Sequence, residues 1–172
     1  MILAKNKIIE ELKNGNIVIE PIPTDDQIGP GSVDLHLDKA FRIFKHYNEV
    51  FPVTNDANFE TITEKIEIEE GGYLLLKPGE SVLGITKETI TLSPSLAGWI
   101  EGRSRFARIG LGVHITSGFA QPGINNKQVL EITNMGPAPM ALYPGIRLCQ
   151  FIFERCDGTA QYKGKFSHQR EP

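Results

Sequence analysis

The sequence predicts an all-β fold, a sandwich, barrel or jelly roll built from many short strands. Three observations carry this. Runs rich in Val, Ile, Leu, Thr and Phe recur along nearly the whole chain, and such side chains suit a pleated, half-buried surface. Gly, Pro, Asn and Asp separate the runs, and seventeen glycines and eleven prolines provide for that many turns. Only residues 4–14 show a clear helical period, with Ile8, Ile9 and Leu12 on one side and Gly15 as the stop.

After that helix the predicted strands follow in order: IVIEP (17–21), SVDLHL (32–37), FRIF (41–44), TITEKIEIE (61–69), YLLLKP (73–78) and SVLGITKETITL (81–92). LAGWIEG (96–102), VHITSG (113–118), QVLEITN (128–134), MALYP (140–144) and IRLCQFIFE (146–154) complete the set. Residues 46–60 read as a loop excursion. With 172 residues and no linker or repeat, one domain spanning 1–172 is expected.

Composition excludes several function classes. A hydrophobic fraction of 40% and a charged fraction of 23% belong to a globular chain. A net charge of −3 argues against a general nucleic-acid surface, so any anion site must be local. The longest apolar runs, such as YLLL at 73–76, are too short to span a bilayer. The N-terminus lacks the apolar core of a signal peptide, and a cytoplasmic location with no membrane partner is expected. There reduced thiols prevail, and Cys149, inside an apolar run, reads as a small core residue. No Cys-x-x-Cys or His-x-Glu spacing is present, and the histidines are scattered at 36, 46, 114 and 168.

Four stretches could carry chemistry. GRSRFARIG (102–110) holds Arg103, Arg105 and Arg108 and lacks strand alternation. Ser104 can cap a short helical turn there, with Phe106 and Ile109 on its inner side. Guanidinium forks suit phosphate oxygens, but the same turn also fits a solvated surface loop. In HITSGFAQPGINNKQVLE (114–131), Pro122-Gly123 and Asn125-Asn126 are turn signals that predict a hairpin returning the chain into the next strand. Phe119 near its tip is a stacking surface or an ordinary core aromatic. QVLEITN puts Leu130 and Ile132 on one face, and Val129, Glu131 and Thr133 on the other. Glu131 is then either a solvated strand carboxylate or a placed proton carrier. The tail QYKGKFSHQ (161–169) mixes basic and aromatic residues that can fold over a nucleotide or stay mobile.

Together these stretches resemble a known family. GRSRFARIGLGVHITSGF with QPG and QVLEI, then LYPG with RLCQFIFER, then YKGKF and a following glutamine, resemble the dCTP deaminase family of the trimeric dUTPase superfamily. GPGSVDLHL at 29–37 is similar to its N-terminal strand motif. The resemblance implies a distorted jelly roll with a short N-terminal helix and a short arginine-bearing helical turn. It implies a homotrimer with active sites shared between subunits, a Mg2+-bound triphosphate substrate, no zinc, and dTTP as a candidate feedback inhibitor. Matched by motif, Glu131 is the general base, Ser104 helps hold the attacking water and Arg108 stands beside the reacting centre. Arg103 and Arg105 lie in the triphosphate turn, Val129 and Leu130 flank the pyrimidine, and Gln150 lies near the site. Tyr162, Lys165 and Gln169 belong to a tail, 161–172, that closes over the phosphates.

The chemistry is self-consistent. Deamination at C4 of cytosine needs a nucleophilic water, protonation of the ring and departure of ammonia, and one carboxyl group can shuttle the protons. Without a His/Cys zinc set, fixed hydrogen bonds and a nearby cation must do the work of the metal. Two positions depart from the family pattern. Gln121 stands where many relatives have an aspartate that assists phosphate hydrolysis, and Arg105 replaces a serine. Gln121 offers hydrogen bonds but no general base, so dUTP for thymidylate synthesis is the expected product. The alternatives are a bifunctional enzyme giving dUMP and pyrophosphate, a plain dUTPase, and a catalytically silent nucleotide-binding regulator.

Overall fold

The computed structural model describes all of residues 1–172. Helix α1 (Lys5–Lys13) opens the chain and buries Ile8 and Glu11. Gly15 follows it at φ 74°, a conformation that costs glycine little, and turns the chain into the first strand. Strands β1 (Ile17–Glu20), β2 (Val33–His36) and β3 (Ala40–Phe44) come next. A 3-10 turn at Phe59–Thr61 leads into β4 (Thr63–Glu67), where the sequence suggested strand from Thr61. Strands β5 (Leu74–Leu76), β6 (Ser81–Leu92) and β7 (Leu96–Gly102) precede helix α2 (Ser104–Ala107). Then come β8 (Leu111–Val113), β9 (Phe119–Ala120), β10 (Asn125–Asn134), β11 (Met140–Leu142) and β12 (Arg147–Arg155).

The strands form two main antiparallel sheets and a ribbon. One sheet runs β4-β3-β6-β10-β8, with β1 also on β6; the other runs β2-β12-β7-β9; β5 and β11 pair alone. Core residues from both sheets belong to a single cluster of 27 buried residues, so the sheets pack on each other as an open jelly roll rather than a closed barrel. The packing is close. An ideal Cβ on Gly98 would lie 2.0 Å from the Phe151 ring, so glycine in β7 makes room for an aromatic of β12. No helix is long and apolar enough to cross a membrane.

Four local expectations need correction. The VHITSG strand ends at Val113, because His114 takes φ 66° and breaks the ladder. Asn125 and Asn126 form no turn; they pair with Thr91 and Ile90 of β6, and tertiary pairing overrides their turn propensity. The Pro122-Gly123 turn joins no hairpin: β9 pairs with β7, while β10 pairs with β6 and β8, so the turn carries the chain from one sheet to the other. In α2 the N-cap is Arg103 and Ser104 is the first helical residue; Phe106 packs against the core, whereas Ile109 is 57% exposed.

Candidate active site

Strand β10 alternates as its sequence suggests. Leu130 and Ile132 are fully buried, and Val129, Glu131 and Thr133 face the other way, half-buried. Glu131 therefore has the apolar core behind it and a cavity of about 380 Å3 in front. Phe119, Gln121, Val129, Tyr162 and Gln169 line that cavity with it.

The loop after β8 fixes the carboxylate. Glu131 Oε2 accepts the backbone N–H of Ile115 at 3.1 Å and of Thr116 at 2.6 Å. The Thr116 hydroxyl lies 2.8 Å from Oε2 and 2.9 Å from Oε1. The Glu131 carbonyl accepts from His114 N at 2.8 Å. The two carboxylate oxygens are thus unequal. Oε2 is saturated with donors, whereas Oε1 meets only a shared hydroxyl and keeps lone-pair capacity.

His114 is a site residue that sequence reading missed. It lines the same cavity, and both ring nitrogens are buried with no hydrogen-bond partner. Such orphan atoms cost roughly 1–3 kcal/mol each, so the ring is held beside the cavity at an energetic cost. A lone histidine within GLGVHIT gives no sequence signal; its positive φ and its burial are visible only in the fold. Phe59, from the stretch read as a loop excursion, is a second missed wall residue.

The remaining candidates lie elsewhere in the chain. Arg103 pairs with Asp34 at 2.8 Å and donates to Arg147 O at 2.7 Å, so it ties β7 to β2 and β12. Burial pushes the Asp34 carboxyl up, against the pull of Arg103. Gln150 accepts from Ser32 Oγ at 2.8 Å and donates to Gly102 O at 3.1 Å in the same sheet. Ser104, Arg105 and Arg108 sit on or just after α2, outside the Glu131 cavity, and neither Arg105 nor Arg108 has a carboxylate partner. The Leu130 side chain meets only the core. Lys165 lies on the tail with its ammonium 5.6 Å from the Phe166 ring centre. No group of three or more His, Cys, Asp or Glu side chains is arranged to hold a metal. Cys149 is fully buried, and burial pushes its thiol up, which removes it as a nucleophile.

Comparison with known proteins places the chain in a family. A family model described as dCTP deaminase-like matches residues 2–156. The chain is 39% identical over 179 residues to "dCTP deaminase, dUMP-forming" of Dictyoglomus thermophilum, covering 100% of this chain and 92% of that protein. It is 40% identical over 156 residues to the dCTP deaminase of Haloarcula marismortui, covering 89% and 80%. A solved dCTP deaminase from Agrobacterium tumefaciens superposes with a TM-score of 0.68 at 19% identity over 90% of this chain; the chain spans 47% of that one, about half its length. The dUTPase of Staphylococcus aureus phage phi11 superposes with a TM-score of 0.55 at 10% identity over 87% of this chain and 96% of that one. At such identities the two structures speak for the fold alone, a dUTPase-like jelly roll. The match over residues 2–156 and the relatives near 40% identity go further, and the chain belongs to the dCTP deaminase-like family.

Proposed function

We propose that the protein deaminates dCTP by hydrolysis and releases the nucleotide as dUMP, with ammonia and diphosphate as co-products. Glu131 carries the reading: a carboxylate anchored through one oxygen, with the other available, at the wall of a nucleotide-sized cavity. In the proposed reaction Oε1 takes a proton from the attacking water as oxygen bonds to C4. Glu131 passes that proton to N3, then carries the hydroxyl proton of the tetrahedral adduct to the departing amino group. The C4–N bond breaks and ammonia leaves. A second water splits the α–β phosphate bond, giving dUMP and diphosphate.

Ser104 and Arg108 are proposed to reach this cavity from a second subunit. Two features support that. Within one chain they lie outside the cavity, and exposed apolar side chains flank their segment, Ile109 at 57% and Met135 at 71%. Such residues beside unpaired arginines suit a subunit contact, and we infer a homotrimer with shared sites. For Mg2+ the residues make no cage: Glu131 is the only Asp or Glu side chain on the cavity wall, and Thr116 holds it. Any Mg2+ therefore belongs with the substrate's phosphates, and no step here passes through it.

The dUMP product replaces the dUTP endpoint that Gln121 suggests on its own. Relatives matched along all of this chain at 39–40% identity carry the name dCTP deaminase, dUMP-forming, which supports the cleaving form. One observation favours the simpler reading: Gln121 lines the cavity with a neutral amide. A time course from dCTP, with ammonia, dUTP, dUMP and diphosphate separated, decides between them. Diphosphate in step with ammonia supports the proposal. Accumulating dUTP assigns the simpler reaction, and no ammonia rejects both.

A further inference from the structure

Residues 161–172 close one side of the cavity. They run back along the edge of β10. Asn125 N and Lys127 N donate to Ser167 O and Gln169 O at 3.3 and 3.0 Å, and the Asn126 amide donates to Phe166 O at 2.8 Å. Strand β8 covers that edge only opposite Ile132–Asn134, so the tail stands in for a strand farther along.

A different element holds the tail's far end. Arg42, in the middle of β3, donates from Nε to the Pro172 carbonyl at 2.6 Å. Its side chain is only 13% exposed, and its guanidinium stands 5.1 Å from the Phe59 ring centre. Lys65 on β4 pairs with Glu171 at 2.9 Å. Pro172 is buried, and both Pro172 and Phe59 line the cavity that holds Glu131. A guanidinium this far out of water needs its donors filled. Besides Pro172, Arg42 reaches only the Thr63 hydroxyl at 3.3 Å and Glu60 at 3.4 Å. Tail docking and the satisfaction of Arg42 are therefore one event.

We infer that Arg42 is a positioning residue that acts through Pro172: it latches residues 161–172 over the cavity and so governs how firmly the nucleotide is held. The latch stands on the contacts above; only its kinetic consequence rests on the deaminase reading.

The experiment has two arms. In the first, amide hydrogen exchange is followed at Asn125 and Lys127, whose N–H groups have tail carbonyls as acceptors. Arg42→Ala should speed exchange at both by about tenfold, the scale of a lost charged hydrogen bond. Lys39→Ala, which removes an exposed pair with Glu67 on the same hairpin, should leave both unchanged. Should Arg42→Ala not fold, Lys65→Glu should loosen the same amides, and adding Glu171→Lys should restore them. Unchanged exchange at Asn125 and Lys127 in a folded Arg42→Ala protein, or in Lys65→Glu where Arg42→Ala does not fold, overturns the latch. In the second arm, Arg42→Ala should raise the KM for dCTP about tenfold and lower kcat less than about twofold, with partial recovery in Arg42→Lys. Loosened amides with an unchanged KM would overturn the role in nucleotide retention. Absence of deamination in the wild-type protein would reject the proposed reaction alone, leaving the exchange result to judge the latch.

Discussion

Glu131 and Thr116 work as a pair at the scale of single residues. The backbone N–H groups of Ile115 and Thr116 hold Oε2, so a Thr116 substitution that keeps the backbone leaves most of the anchor intact. Thr116→Val removes only the hydroxyl, and the carboxylate then turns more freely. We expect kcat to fall about tenfold with little change in KM, the scale of one hydrogen bond to a charged group. Glu131→Gln is more severe. Its amide is nearly isosteric but cannot accept a proton, so ammonia release should fall about a thousandfold while dCTP still binds. A mutant with near wild-type ammonia release would remove Glu131 from the chemistry. Strand alternation made the orientation of this residue readable, since Leu130 and Ile132 demanded the core. Its anchor was not readable, because nothing in VHITSG shows that His114 leaves the β region and folds the loop back onto β10.

At the scale of elements, α1 is held to the sheet by charge as well as by Ile8. Glu11, 4% exposed, accepts from Asn16 Nδ2 at 2.6 Å and pairs with Arg155 at the end of β12. The Asn16 hydrogen bond, then the Arg155 guanidinium, holds the Glu11 carboxyl below its ordinary value of 4.5. A depressed carboxyl stabilises the fold fully above its unfolded value, and the gain is lost as pH falls through the folded value. Acid unfolding should therefore steepen below about pH 4.5, and Glu11→Ala should flatten that slope. At neutral pH the same change should cost about 2 kcal/mol, or about 4–8 °C in Tm; a melting point and an acid limb both unchanged would refute the staple. The helix itself was legible from Ile8, Ile9 and Leu12. Its ionic partner was not, because Glu11 and Arg155 stand at opposite ends of the chain and only the β12 register brings them together. Asn125 and Asn126 show the converse, since strong local turn signals yielded to pairing with β6.

At the scale of the whole molecule, the candidate residues divide into two groups that one chain does not unite. Glu131, Gln121, Val129 and Phe119 share a cavity with the tail, while Ser104, Arg105 and Arg108 sit on the α2 segment outside it. Both groups lie within residues 103–131, and the family resemblance implied a site shared between subunits. Phe119 and Gln121 reach the cavity from β9 and the turn after it, whereas α2 is the connection between β7 and β8 and stands outside it. In the homotrimer proposed above, a head-to-tail contact would set the α2 segment of one chain against the cavity of the next. That arrangement makes a quantitative prediction for mixed trimers. Glu131→Gln chains and Arg108→Ala chains should each be inactive alone. When the two are co-expressed in equal amounts, a site is whole only if an Arg108→Ala chain supplies Glu131 and its neighbour, a Glu131→Gln chain, supplies Arg108. Each condition holds half the time, so activity should recover to about a quarter of the wild-type rate. Sites built within single chains would recover nothing, because every chain carries one fault. Light scattering on the same samples checks that trimers are present, and a monomer with full wild-type activity would end the shared-site reading outright.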